Sequence, residues 1–222
     1  RRVFTLTFLF LAAEAFHLSD RIETRESETG KGLATCKKDS ICAYLQQNAR
    51  GVTPAHMCEC PGEQTCPLSW DPDDGKTLTR GDEQYKFCSS PPQALHECKE
   101  KELVFTSKFE YEANSNPRKF LSYAGYIHCA CPIGFSYHLT RRTNSTTEGQ
   151  DLETVYFSCE EYKTCGTNDT CHIISESSEA FMIYKMCNCD EDLKCPTDPE
   201  AAFRTDHIEQ VLDYNLYNMQ CQ

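Results

Sequence analysis

The chain has 222 residues, 16 of them cysteine, and its 34 acidic side chains outweigh 22 basic ones to leave a net charge of −12. That balance argues against a nucleic-acid partner and against binding to anionic membrane surfaces, both of which need a basic footprint. With 39% apolar residues and a mean hydropathy of −0.58, one large apolar core is not expected, and cross-links take over part of what a core supplies.

Residues 1–15 read as a signal peptide. Arg1 and Arg2 precede the apolar run VFTLTFLFLAA, and Ala13 and Ala15 are the small residues a signal peptidase requires. The run is too short to span a bilayer, which takes about 20 apolar residues, and no later segment is apolar enough to anchor or insert in a membrane. The sequence lacks an initiator Met, so its N-terminus is read as incomplete. Removing residues 1–15 takes away two Arg and one Glu, leaving the secreted form more acidic still. Residues 16–35 are polar, charged and free of cysteine. They fit either a propeptide cut at a basic residue such as Arg21 or Arg25, or a disordered arm.

The cysteines then form a ladder. The first cluster is Cys36-x5-Cys42-x15-Cys58-x-Cys60-x5-Cys66-x21-Cys88, and the last is Cys165-x5-Cys171-x15-Cys187-x-Cys189-x5-Cys195-x25-Cys221. Four consecutive spacings agree, which marks an internal repeat. Between them lies a degenerate copy with Cys98, Cys129, Cys131 and Cys159. Three tandem modules are expected, at 36–88, 98–159 and 165–221. Even counts in each favour bonds within modules, and an oxidising compartment together with Cys-x-Cys spacing favours disulfides over zinc.

The degenerate copy bears on pairing. Aligned on Cys-x-Cys, Tyr137 stands where Cys66 and Cys195 stand. If Cys98 matches Cys36, the other missing position is that of Cys42 and Cys171, and the bonds Cys42–Cys66 and Cys171–Cys195 follow. If Cys98 matches Cys42 instead, they become Cys36–Cys66 and Cys165–Cys195. Two cysteines of one Cys-x-Cys on a strand lie about 6.5–7 Å apart at Cα, near the limit for a disulfide. Under the first alignment, Cys36 and Cys88 therefore pair with Cys58 and Cys60 in one of two ways.

Stretches around Tyr126–Cys129, Phe181–Cys187, Gln84–Cys88 and Thr154–Cys159 read as β-strands, with Pro61 and Pro132 ending the first strand of their ribbons. Residues 199–213 suggest a short helix capped by Asp198, with Pro199 in its first turn. The expected fold class is small, disulfide-rich and mainly β, with three cysteine-ribbon modules and little α.

No catalytic pattern is present: neither G-x-S-x-G nor H-E-x-x-H occurs, and none of the seven histidines lies in a recognisable catalytic context. No enzyme, catalytic residue, metal site or cofactor is therefore expected. Asp71-Pro72-Asp73-Asp74-Gly75 resembles the start of a calcium loop but lacks the third alternate acid and the distal Glu, and is read as a solvated turn. Asn144-Ser145-Thr146 and Asn168-Asp169-Thr170 are candidate glycosylation sites, the first in a polar loop of the middle module. Arg80-Gly81-Asp82 is a candidate integrin motif if a cross-linked loop presents it.

The motif Cys58-Glu59-Cys60-Pro61-Gly62-Glu63-Gln64-Thr65-Cys66-Pro67, closing at Tyr85-Lys86-Phe87-Cys88 within a secreted 16-cysteine frame, resembles scoloptoxin family 11 of centipede venoms. The frame also resembles that of Argos, a three-module insect growth-factor antagonist. The venom resemblance implies a secreted toxin, some relatives of which block voltage-gated potassium channels. Its partner would be a membrane channel or receptor ectodomain of a target animal. Pore blockers present a lysine on a basic face, and the compact basic candidates are Lys37-Lys38, Arg118-Lys119-Phe120 and Arg141-Arg142. Altered gating is as compatible with the charge as pore block. A secreted protein that sequesters a receptor or ligand, through Arg80-Gly81-Asp82 or another loop, is the alternative.

Overall fold

The computed structural model describes residues 33–92, 95–115, 119–147, 149–177, 180–208 and 214–222. The expected signal peptide, and residues 16–32 of the expected arm, lie outside them. The chain is mainly β and disulfide-rich, and forms two compact units. One comprises Lys31–Leu45 and His56–Glu161, the other Gln46–Ala55 and Tyr162–Gln222.

β1 (Ile41–Asn48), β2 (Gly51–His56), β3 (Thr77–Arg80), β4 (Glu83–Phe87), β5 (Leu103–Glu112), β6 (Phe120–Ile127), β7 (Phe135–Thr147) and β8 (Gln150–Glu161) belong to one sheet, all of it in the first unit except Gln46–Asn48 of β1 and Gly51–Ala55 of β2. Its order is β3-β4-β1-β6-β5-β8-β7, with β2 also paired to β1. The first two cysteine modules thus share a sheet through an antiparallel β1–β6 contact at Ile41 and Gly125. Glycine is needed there. A Cβ on Gly125 would lie 2.7 Å from the Tyr123 hydroxyl, 2.9 Å from Phe105 and 3.0 Å from Ile41. Apolar and aromatic residues contributed by both modules, including Ile41, Tyr85, Phe87, Val104, Phe105 and Ile127, form the core of this unit. Burying such side chains is the dominant favourable term.

The second unit holds a sheet of β9 (His172–Glu176), β10 (Phe181–Lys185), β11 (Arg204–Ile208) and β12 (Tyr214–Met219), ordered β10-β9-β12-β11. Its core joins Ile174, Phe181 and Met219 to the module's cysteines. The outer edge of β10 is closed by side chains of Gln46–Ala55. Gln46 makes a two-point amide pair with Ile183, accepting from its N–H and donating to its carbonyl, both at 2.8 Å. Asn48 and Thr53 donate to the Phe181 carbonyl at 2.7 and 2.9 Å. Arg50 lies 4.1 Å over the Phe181 ring and pairs with Glu176. Edge groups that would otherwise invite another strand are satisfied within the unit.

The helix expected at 199–213 does not form. Asp198 accepts from the Glu200 N–H at 3.0 Å, but only a single 3-10 turn, Pro199–Ala201, follows. Residues Arg204–Ile208 pair instead with β12, from Arg204↔Asn218 to Ile208↔Tyr214. Local helix signals lose to a strand partner that satisfies the backbone groups facing it. Residues 209–213 lie outside the described residues.

The three cysteine clusters share one local construction. Disulfides join Cys36–Cys58, Cys98–Cys129 and Cys165–Cys187, and beside each runs a one-residue parallel bridge: Thr35↔Glu59, Glu97↔Ala130 and Thr164↔Asn188. The Cys-x-Cys pairs flank these bridges and lie beyond the strand ends, rather than on strands as their surroundings suggested. Ala34 and Thr35 are part of the construction, since the Ala34 carbonyl accepts from Glu59 at 2.9 Å. Cys60–Cys88, Cys131–Cys159 and Cys189–Cys221 close each cluster.

Candidate binding surface

The remaining disulfides are Cys42–Cys66 and Cys171–Cys195, the pairs that follow from matching Cys98 to Cys36. Backbone hydrogen bonds locate their counterpart in the middle cluster. The carbonyl of Cys42 accepts from Met57, that of Cys171 from Met186, and that of Val104 from His128. Val104, fully buried, therefore occupies the place of Cys42 and Cys171, and Tyr137 that of Cys66 and Cys195.

With its ring stacked on Phe105 at 6.0 Å, Tyr137 brings its hydroxyl to 3.1 Å from that of Tyr85. The Tyr85 hydroxyl in turn donates to Glu83 at 2.9 Å, and Tyr44 donates to the other Glu83 oxygen at 2.8 Å. Burial pushes the Glu83 carboxyl above its ordinary range, against the opposing pull of the two hydroxyl donors. Burial likewise lifts the Tyr137 hydroxyl to about 12.

Arg80 connects this cluster to a surface turn. Its guanidinium lies 5.8 Å from the Tyr137 ring centre and donates to the carbonyls of Cys131 and Phe135, each at 3.4 Å. Those carbonyls are the two ends of the turn Pro132–Phe135, itself closed by Phe135 N–H to the Pro132 carbonyl at 3.2 Å. At its tip Ile133 is 103% exposed, and Gly134 supplies the positive φ of 88°. The other clusters close a turn at the same place, Pro61 to Gln64 and Asp190 to Leu193, with Gly62-Glu63 and Glu191-Asp192 at their tips, though the backbone differs: Gly62 takes the positive φ at the first tip position and neither Glu191 nor Asp192 does. An apolar residue is thus no requirement of the turn. Two exposed acidic groups stand on the elements that adjoin this turn: Asp82, on the hairpin that carries Arg80, and Glu161, opposite Phe135 across the β7–β8 ladder.

Gly81 and Asp82 form the two-residue loop of the β3–β4 hairpin, with Gly81 at φ 57°, and Arg80 is the last residue of β3, paired with Glu83. Asp82 is exposed, but Arg80 is turned inward onto the Pro132–Phe135 turn. An integrin would have to draw it away from both carbonyls. The Asp71–Gly75 loop holds an internal cation. The Lys86 ammonium, fully buried, donates to the Asp71 carbonyl at 3.3 Å, to Asp74 at 3.2 Å and to the Thr77 hydroxyl at 2.7 Å. Against its partial burial, hydrogen bonds from the Thr77 hydroxyl, the Lys76 N–H and the Lys86 ammonium hold the Asp74 carboxyl below its usual range.

The basic candidates are largely engaged. Lys37 pairs with Glu110 at 3.1 Å, Lys119 with Glu112 at 2.8 Å, and Arg142 with Glu153 at 3.4 Å. Arg141 lies 4.4 Å over the Tyr156 ring, Lys38 is exposed, and Arg118 falls outside the described residues. Each cysteine forms a disulfide among the described residues. The groups of three sulfurs within 4.8 Å of one another therefore present no thiolate for a metal. No helix among the described residues is long and apolar enough to cross a membrane.

These features define a small, mainly β, disulfide-rich protein. No family model matches the chain. It is 37% identical over 206 residues to U-scoloptoxin(11)-Ssd2a of Scolopendra dehaani, covering 90% of this chain and 88% of the relative. It is 29% identical over 171 residues to Kappa-scoloptoxin(11)-Ss1a of the same species, covering 77% of each. Among solved structures, unliganded Argos aligns with a TM-score of 0.42 at 20% identity, covering 86% of this chain and 92% of that one. The chain belongs to the scoloptoxin(11) family, and it is a venom toxin.

Proposed function

We propose that this toxin is secreted and acts by binding, not catalysis, on a voltage-gated ion channel of another animal, a potassium channel foremost, and that it makes contact through the braced Ile133 turn. The observation that carries the choice of surface is Ile133 itself, 103% exposed on a turn fixed at both ends by Arg80 and anchored by the Cys131–Cys159 disulfide. Burying one such side chain in a partner is worth about 1.5–3 kcal/mol, roughly tenfold or more in affinity, at little ordering cost because the turn is already rigid. Support for the channel class comes from the resemblance of the cysteine frame and from the kappa prefix borne by a relative 29% identical to this chain.

The charge favours a site away from the pore. Pore mouths are acidic, whereas the elements adjoining the Ile133 turn expose Asp82 and Glu161, and most of the described basic candidates are paired. A partner pocket that is apolar with a basic rim fits this surface. Voltage-clamp recording of potassium currents during application of the oxidised, mass-checked protein tests the reading. Dose-dependent inhibition accompanied by a shifted activation voltage is expected. No change in potassium, sodium or calcium currents at micromolar protein would overturn it.

A further inference from the structure

Two edge strands, one in each sheet, are treated differently. The edge at β10 is closed by the side chains of Gln46, Asn48 and Thr53. At the other extreme is β7, the terminal strand of the larger sheet, paired on one side to β8 from Phe135↔Glu161 to Thr147↔Gln150. Among the described residues no strand pairs with its outer side, and Arg141–Thr147 are all exposed. A long exposed edge of this kind is a template for pairing with another chain.

A register shift between Leu139 and Arg141 marks a bulge, which twists the strand but leaves the seven residues beyond it in register. The charges there do not guard the edge either. Arg141 lies over Tyr156 and Arg142 pairs with Glu153, both on β8. In the middle of this stretch, opposite Glu153, stands Asn144, followed by Ser145 and Thr146.

We infer that Asn144 carries an N-linked glycan and that this glycan shields the free edge of β7. The sequon supplies the acceptor, and the disulfide framework is that of a chain that passes through the oxidising secretory compartment. There the Asn144 amide nitrogen attacks the anomeric carbon of a polyprenyl-diphosphate-linked oligosaccharide. A C–N bond forms as the anomeric C–O bond breaks. The lipid diphosphate leaves with the electron pair, and the amide proton passes to a base of the transferase. In the folded chain the attached sugar projects from an exposed stretch and displaces no packed group.

Asn168 offers a poorer acceptor. It lies in the tight turn Gly166–Asp169, where the Gly166 N–H donates to the Asp169 side chain at 2.8 Å. Thr170 is followed at once by Cys171, fully buried in its disulfide with Cys195. Closure of that loop competes with access by the transferase.

The test is secretion of the full chain from insect cells, peptide mapping after enzymatic deglycosylation, and size-exclusion chromatography over a range of concentrations. Deglycosylation is expected to lower the mass and convert Asn144 to Asp. N144Q should lose the glycan, whereas N168Q keeps it. Where N144Q is poorly secreted, the glycan is removed from the folded wild type under native conditions. The stripped protein is expected to associate with rising concentration, reaching at least twice the apparent mass, while the glycosylated form stays monomeric. An unmodified Asn144 in the secreted protein, or stripped protein that remains monomeric throughout, overturns the proposal.

Discussion

At one position of the construction they share, the outer clusters and the middle cluster make opposite choices. Cys42–Cys66 and Cys171–Cys195 tie the loop after Cys-x-Cys covalently to the start of the cluster's strand pair. In the middle cluster Val104 and Tyr137 stand there instead. A disulfide is a local tie, whereas Tyr137 reaches outward to Phe105, Tyr85 and Arg80. Losing the bond thus coincides with joining the first two clusters in one sheet and one aromatic core. The same exchange changes the surface, because the Arg80 that meets Tyr137 also fixes the turn presenting Ile133.

The largest effect that sharpens this contrast lies in the outer cluster. Replacing Cys171 and Cys195 together by Ala removes the constraint on a loop of sequence separation 24, and should cost about 3.5 kcal/mol, read as a lower denaturant midpoint. A loss under ~1 kcal/mol would mean that the covalent tie matters no more than the packing that replaces it. Next comes the reverse exchange. V104C combined with Y137C should form the missing disulfide, seen as the loss of two hydrogens by mass. Its gain in stability should be smaller than the loss above, because the Tyr137 contacts disappear. Two free thiols after oxidative folding would break the structural equivalence.

A smaller effect concerns Glu83. Its folded-state pKa lies above the ordinary 4.5, so the folded chain holds this proton more readily than the unfolded one. Its contribution is fully present below about pH 4.5 and declines as the pH rises through the raised value. E83Q removes that titration. Relative to the wild type, its denaturant midpoint should therefore climb as pH increases from 4.5 upward. Parallel curves for the two proteins would contradict the buried placement of the carboxylate.

Much of the frame was legible. Four spacings recur between the outer clusters, and the cysteines absent from the middle cluster led, under one of two alignments, to Cys42–Cys66 and Cys171–Cys195. Alternation around Tyr85, Tyr126, Phe157 and Met182 located strands that the structure contains. The counterpart of Cys42 was not legible, because Cys98–Cys129 spans 31 residues where Cys36–Cys58 spans 22. The insertion defeats counting, and only the hydrogen bond from His128 to Val104 restores the alignment. Nor did local sequence show Arg80 bracing a turn some 50 residues away, or Gln46 standing in for a strand backbone. Both depend on tertiary proximity. Ile133 did leave a signal: aligned on Cys-x-Cys, it is an isoleucine where the other copies have Gly62 and Glu191. The Asp198-Pro199 helix signal was real but was outweighed by the β12 ladder.

The most direct test of the central claim compares wild type with Ile133→Asp in concentration–response recordings of potassium currents. The side chain is fully exposed, so the substitution should leave the thermal midpoint essentially unchanged, within about 0.5 kcal/mol of stability. Potency is expected to fall by at least tenfold, as the partner's apolar pocket would have to take up a charge. Equal potency from an equally stable variant would contradict the assignment of the Ile133 turn as the contact surface.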